Sequence, residues 1–242
     1  MKICLTGMHR SGTSLFASYL QDAGFVLGDN LRGPRKGNIL GHFEDLEFQN
    51  INIELLDANK SHKFLPWRTL VKPKETRKKA EILLSRKQPN NFLWKDPRSA
   101  LFLDFWNDST PNLKFIFMLR HPDLVYDSLI RRGTDKPIKL FPFLAYYSWY
   151  VYNSNILDFY QRNPEKCAII DIDKAFKDWS ETQKRLSAFL EVPLPDIQST
   201  LKKDLFNSQI DSQNHSLYKQ MFGYRQKCLK LYDIILTQTQ FS

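Results

Sequence analysis

The chain alternates short, wholly apolar runs with longer segments in which apolar positions recur every three or four residues. "KICLT" (2–6), "FLWK" (92–95), "KFIFML" (114–119) and "CAIID" (167–171) have the length and composition of buried strands, and "FVL" (25–27) is a weaker fifth. Between them, helical spacing marks "SLFASYLQDAG" (14–24), stopped by Gly24, and the segments 43–60 and 74–87. It continues in "DLVYDSLIRR" (123–132) with Pro122 in its first turn, in an aromatic stretch over roughly 143–162, and in "SETQKRLSAFL" (180–190) with Ser180 as N-cap. The remainder is also helical and ends in "GYRQKCLKLYDIIL". Residues 29–42, "DNLRGPRKGNILGH", are rich in Gly, Pro and charge and read as a loop. Apolar strands linked through helices imply right-handed βαβ units on a parallel sheet. The expected fold class is α/β, a three-layer αβα arrangement with a central parallel sheet of four or five strands. No linker or repeat divides the chain, so residues 1–242 are expected to form a single domain.

Charge narrows the partners. With 35 basic and 26 acidic residues the net charge is +9, which favours an anionic ligand. No zinc-finger spacing, basic heptad or RNP-like aromatic motif accompanies that charge, so nucleic acid is not expected as a partner. Cys4, Cys167 and Cys228 are odd in number, widely spaced and without a C-x-x-C pair, which points away from a disulfide framework and a zinc site and toward a reducing compartment. The first apolar stretch is broken by Gly7, His9 and Arg10, unlike a signal peptide. No run approaches the ~18 apolar residues of a membrane-spanning helix. A cytoplasmic protein without a transmembrane segment is expected.

The chemistry concentrates in residues 6–15, "TGMHRSGTSL". Gly7 and Gly12 have the spacing of a phosphate loop, GxxxxGK(S/T), with an apolar strand before and a helix after, so the fold expected is P-loop NTPase-like. Such a turn offers backbone N–H groups and a helix N-terminus to an anion. Ser11, Thr13 and Ser14 add hydroxyls. Thr13, however, occupies the position of the lysine that would reach β- and γ-phosphates. A ligand without a β–γ unit follows, and Arg10 becomes the donor to an oxygen whose charge grows during group transfer.

These residues resemble the sulfotransferases that use 3′-phosphoadenosine 5′-phosphosulfate (PAPS). In that family a loop of the type K/R-S-G-T-T/S after the first strand binds the 5′-phosphosulfate, and Arg10-Ser11-Gly12-Thr13-Ser14 is similar residue for residue. A second family motif has an arginine at a strand end and a serine eight residues later that hold the 3′-phosphate; "MLRHPDLVYDSLIRR" resembles it through Arg120 and Ser128. "WKDPRSALFLDFW" resembles the K-D-P segment of tyrosylprotein and related bacterial sulfotransferases. The RKGxxGDWK segment of cytosolic small-molecule sulfotransferases is absent, which points to the branch acting on glycans, proteins or bacterial metabolites and leaves the adenine contacts unassigned.

The resemblance implies PAPS as donor, PAP as product, no metal, and an acceptor hydroxyl on a glycan, peptide or small metabolite. It implies Arg10 as a catalytic cation with Lys95 as a second, and an acid or histidine after the first helix as general base. "GHFED" offers Glu44 for that role, with His42 as the alternative. Asp96 and Arg98 read as a structural ion pair, and Arg131 and Arg132 as a solvated helix end. Two other readings stay open: a P-loop kinase using ATP and Mg²⁺, with Asp171 at the end of "CAIID" as the metal ligand, and a non-catalytic nucleotide- or nucleic-acid-binding protein.

Overall fold

The apolar runs form the sheet and the periodic segments cover it. In the computed structural model, residues 1–33, 43–66, 73–86, 91–175, 177–196 and 223–239 are described. In chain order they form β1 (Lys2–Gly7), α1 (Thr13–Asp22), α2 (Leu46–Ala58), α3 (Lys74–Arg86), β2 (Phe92–Lys95), α4 (Leu103–Ser109), β3 (Leu113–Leu119), α5 (Pro122–Arg132), α6 (Lys136–Leu140), α7 (Leu144–Arg162), β4 (Cys167–Asp171), α8 (Ile172–Ala175), α9 (Trp179–Leu190) and α10 (Tyr224–Gln238). The strands make one parallel sheet in the order β2-β1-β3-β4.

Side-chain alternation splits the interior into two layers. Cys4, Trp94, Phe115, Phe117 and Ile169 face a core shared with α2, α3, α4, α5, α7 and α10. Ile3, Leu5, Leu93, Ile116, Met118 and Ile170 face a second core shared with α1 and α9. This is the expected αβα sandwich. All three cysteines are buried and free, and burial pushes their thiol pKa values up. Among the described residues no helix is long and apolar enough to cross a membrane.

Two expectations are corrected. "FVL" is not a fifth strand: Val26 makes only an isolated bridge to Phe92, because Gly24, at φ 89, leads α1 directly back to the sheet edge. Ser180 does not cap α9; the helix begins at Trp179 after Asp178, and the Ser180 hydroxyl donates to Asp178 Oδ1 at 3.0 Å.

The chain runs from β1 out to β2 and then crosses to β3 on the other side of β1. The crevice at the carboxyl ends of β1 and β3 is therefore a topological switch point, where open α/β sheets bind ligands. Register places Gly7 beside Met118, Leu5 beside Lys95 and Leu119 beside Asp171, so the ends of all four strands open onto one edge.

Candidate active site

The glycine loop leaves β1 at that edge. Gly7 is required by crowding: a Cβ there would lie 2.4 Å from the Met118 carbonyl oxygen. Gly12 is required by crowding and conformation together, since its φ is 81° and a Cβ would lie 2.2 Å from Ile172 Cδ1. Arg10, at the crest, also has a positive φ of 73°, uncommon for a residue with a side chain. The turn closes with the Ser11 N–H donating to the Met8 carbonyl at 3.1 Å. Helix α1 then starts with neither an acidic first turn nor a side-chain cap, so the positive end of its dipole faces the loop without an internal carboxylate. The Ser11 hydroxyl is buried without a hydrogen-bond partner.

The two sequence motifs meet here. Arg10 Nε donates to Ser128 Oγ at 2.9 Å, although the residues are 118 positions apart. Arg120 Nη1 donates to the Arg10 carbonyl at 3.1 Å. Pro122 and His121 start α5, with His121 Nδ1 accepting from the Asp123 N–H, and the helix carries Ser128 back over the loop. Burial and then the neighbouring Arg132, Arg120 and Arg131 lower the Arg10 pKa to about 10. Burial lowers that of Arg120 as well, despite Asp173 at 3.8 Å. Cations crowded to this degree repel one another, and an anion placed among them would relieve that repulsion.

A second cluster lies at the end of β2. Asp96 caps a 3-10 turn over Pro97–Leu101 by accepting from the Arg98 N–H at 2.9 Å, which folds the Arg98 guanidinium back onto the Asp96 carboxylate. The expected Asp96–Arg98 pair is thus present. Asn52 on α2 donates to Asp96 Oδ2 at 2.9 Å and fixes its other edge. Glu44, just before the N-cap Asp45 of α2, reaches into this cluster. Its Oε1 accepts from Lys95 Nζ at 3.1 Å, and its Oε2 accepts from Arg98 Nη2 at 2.9 Å and from Gln49 Nε2 at 3.0 Å. Glu44 is 4% and Lys95 2% exposed, so the pair is screened little by solvent. Burial lowers the Lys95 pKa even with Glu44 beside it. For Arg98 burial acts in the same direction, but Asp96 and Glu44 outweigh it and raise the pKa.

Every candidate from the sequence except His42, which lies outside the described residues, is accounted for. Arg10, Ser11, Gly12, Thr13, Ser14, Arg120 and Ser128 surround the loop, and Glu44 and Lys95 form the ion pair at the end of β2. Arg131 is exposed as expected. Arg132 is not a solvated helix end: it is half-buried, and its Nε is enclosed without a partner. It follows Ser128 by one helical turn on the face turned to the loop, so the packing of α5 draws it inward. Asp171 is already engaged: Oδ1 accepts from the Lys174 N–H at 2.9 Å and Oδ2 from the Tyr232 hydroxyl.

No protein-family model matches the chain, and no curated protein matches it. Solved structures do. The sulfotransferase domain from the curacin biosynthetic pathway aligns at a TM-score of 0.55 and 22% identity, over 87% of this chain and 80% of that one. The sulfotransferase domain from the Synechococcus PCC 7002 olefin synthase aligns at 0.58 and 18% identity, over 98% of this chain and 94% of that one. Sulfotransferase STF9 from Mycobacterium avium aligns at 0.58 and 13% identity, over 100% of this chain and 77% of that one. The chain has the fold of these sulfotransferase domains.

Proposed function

We propose that the protein transfers the sulfuryl group of PAPS to an acceptor hydroxyl. The observation that carries this reading is the convergence of the two motifs: Arg10 from the loop bonds Ser128 from α5, and Arg120 bonds the loop backbone, all at the switch point of a fold shared with sulfotransferase domains. The groups present fit the donor. Arg10, Ser11, Gly12, Thr13 and Ser14 would hold the 5′-phosphosulfate, where Ser11 has an unpaired hydroxyl and α1 an uncapped N-terminus. Arg120 and Ser128 would hold the 3′-phosphate.

In the reaction an acceptor oxygen–sulfur bond forms as the bond from sulfur to the phosphate oxygen breaks. The leaving oxygen gains charge, and Arg10 and Lys95 are the cations available to it. The acceptor proton goes to Glu44 in this scheme. A carboxylate held by two cations is a weak base, so Glu44 gains basicity as Lys95 turns toward the leaving oxygen. The kinase alternative is not favoured: Thr13 stands in the lysine position, and both Asp171 oxygens already accept hydrogen bonds within the protein.

A thermal-shift panel of PAP, AMP, adenosine 5′-phosphosulfate and ATP with Mg²⁺ tests the donor, followed by [³⁵S]sulfuryl transfer from PAPS. Stabilisation by PAP is expected, and stabilisation by ATP with Mg²⁺ alone would overturn the reading. Turnover is expected to survive EDTA, because the donor has no β–γ phosphates to chelate; loss with EDTA and rescue by Mg²⁺ would restore the kinase reading. Arg120→Ala should weaken PAP binding roughly ten- to a hundredfold, the worth of a charge-assisted hydrogen bond, and barely change AMP binding. Ser128→Ala should act in the same sense and more mildly. Calorimetry with both nucleotides checks this, and equal losses for PAP and AMP would assign Arg120 to the loop rather than to the 3′-phosphate.

A further inference from the structure

The Glu44 carboxylate is held unequally at its two oxygens. Oε1 accepts from Lys95 Nζ at 3.1 Å, whereas Oε2 accepts from both Arg98 Nη2 at 2.9 Å and Gln49 Nε2 at 3.0 Å. The cations on the two sides differ in freedom. Lys95 carries its charge on a flexible four-carbon stem. The Arg98 guanidinium is planar, and its other edge is already fixed: Nε donates to Asp96 Oδ2 at 3.1 Å, and Asp96 Oδ1 accepts from the Arg98 backbone N–H at 2.9 Å. Asp96 is fixed in turn by Asn52 Nδ2 at 2.9 Å, and Asn52 Oδ1 accepts from Trp106 Nε1 at 3.1 Å. A continuous run of hydrogen bonds thus leads from the buried indole on α4, through α2 and the 3-10 turn, to Glu44 Oε2.

This asymmetry matters once Lys95 moves. The transfer scheme draws the Lys95 ammonium toward the leaving oxygen, which uncovers Oε1 and takes away one of the two cations bonded to the carboxylate. Arg98 stays, because Asp96 holds it. The other titratable and charged groups nearby do not replace it. Arg32 is half-buried, and its Nη1 lies 3.9 Å from Oε2, beyond hydrogen-bond distance. Tyr152 on α7 and His9 in the loop are buried; burial, first of all, raises the tyrosine pKa and lowers that of the histidine, so both are neutral. Asp96 is an acid, and its charge opposes that of Glu44.

We infer that Arg98 is the positioning residue of the proton transfer: fixed on Asp96, it keeps hold of Glu44 Oε2 while Lys95 releases Oε1, so that the acceptor proton goes to Oε1 of a carboxylate that neither turns nor stands without a counter-charge. The acceptor O–H bond breaks as the Oε1–H bond forms, and the electron pair left on the acceptor oxygen goes to sulfur. The part Arg98 plays in turnover rests on the sulfuryl-transfer reading; its hold on the charge of Glu44 does not.

Paired substitutions separate this hold from support of the fold. Asp96→Asn removes the opposing acid and leaves both cations on Glu44, so Glu44 should lose its proton at lower pH than in the wild type. Asp96→Asn combined with Arg98→Gln removes acid and cation together, leaving Lys95 as the cation bonded to Glu44, so the proton should be lost at higher pH than in the wild type. Carboxyl ¹³C NMR of glutamate-labelled protein, with Glu44→Gln to assign the signal, reads this order in the free protein. The acid limb of kcat for [³⁵S]sulfuryl transfer should follow the same order, with PAP affinity nearly equal throughout. Arg98→Lys keeps the charge, but its ammonium does not span Asp96 and Glu44 at once. Its kcat should fall roughly ten- to a hundredfold with the acid limb near that of the wild type. Titration of Glu44 at one pH in the wild type and Asp96→Asn, or full turnover in Arg98→Lys, would overturn the inference, and neither result depends on the double variant folding. If the NMR order appears while no protein transfers sulfuryl from PAPS, the donor reading fails and the hold of Arg98 on Glu44 stands.

Discussion

Arg10→Ala is expected to fold normally and to lose about 10²–10³-fold in turnover, the scale seen when one donor to a developing oxyanion is removed. Alanine meets the same positive φ that arginine does, so the backbone is no more strained by the change. The guanidinium's bond to the buried Ser128 is lost, a single hydrogen bond worth about 0.5–1.5 kcal/mol. The effect should therefore appear in the rate and leave the melting temperature nearly in place. The measurement is [³⁵S]sulfuryl transfer to an acceptor found by screening, alongside thermal denaturation. Unchanged turnover would end the catalytic assignment of Arg10.

Glu44→Gln should produce two separable effects. Turnover should fall roughly 10²–10⁴-fold if Glu44 receives the acceptor proton, with PAP affinity nearly unchanged. Stability should fall too, because Lys95 and Arg98 are buried and lose their shared counter-charge. Breaking a buried ion pair at one end costs about 3–5 kcal/mol, and the amide's retained shape argues for the lower figure. Denaturant unfolding, calorimetry with PAP and the transfer assay read the three quantities independently. A destabilised variant with normal turnover would make Glu44 an anchor for Lys95 and Arg98. If His42→Ala is then the crippled variant, the base is His42.

Much of this arrangement was legible in the sequence, for identifiable reasons. A phosphate loop needs glycine where the backbone has no room, and Gly7 and Gly12 stand against Met118 and Ile172. Arg120 and Ser128 were paired through their resemblance to the second sulfotransferase motif, and both reach Arg10 of the loop. The Asp96–Arg98 pair was legible because a capped turn is local. What sequence missed was produced by tertiary closure. Arg132 reads as a polar helix end, and only the packing of α5 over the loop turns it inward. His9 reads as one polar residue in a loop, and nothing local announces that Phe64 and Lys63, over fifty residues away, will close around it. Gln49 and Asn52 resemble the wet face of α2, yet both are buried and hold Glu44 and Asp96 in place. "FVL" failed as a strand because three apolar residues at a sheet edge satisfy only a bridge.

The left-handed backbone of Arg10 has a thermodynamic consequence for binding. A side-chain-bearing residue holds that conformation only where its surroundings over-determine it. Here the Ser11 N–H bonds to Met8, the Arg120 side chain bonds to the Arg10 carbonyl, and Gly12 is pressed against Ile172. The loop is therefore shaped before any anion arrives. A ligand that docks on its N–H groups need not order the chain that presents them, so little of its contact energy is spent on loop entropy and more is retained as affinity and as alignment of the reacting atoms.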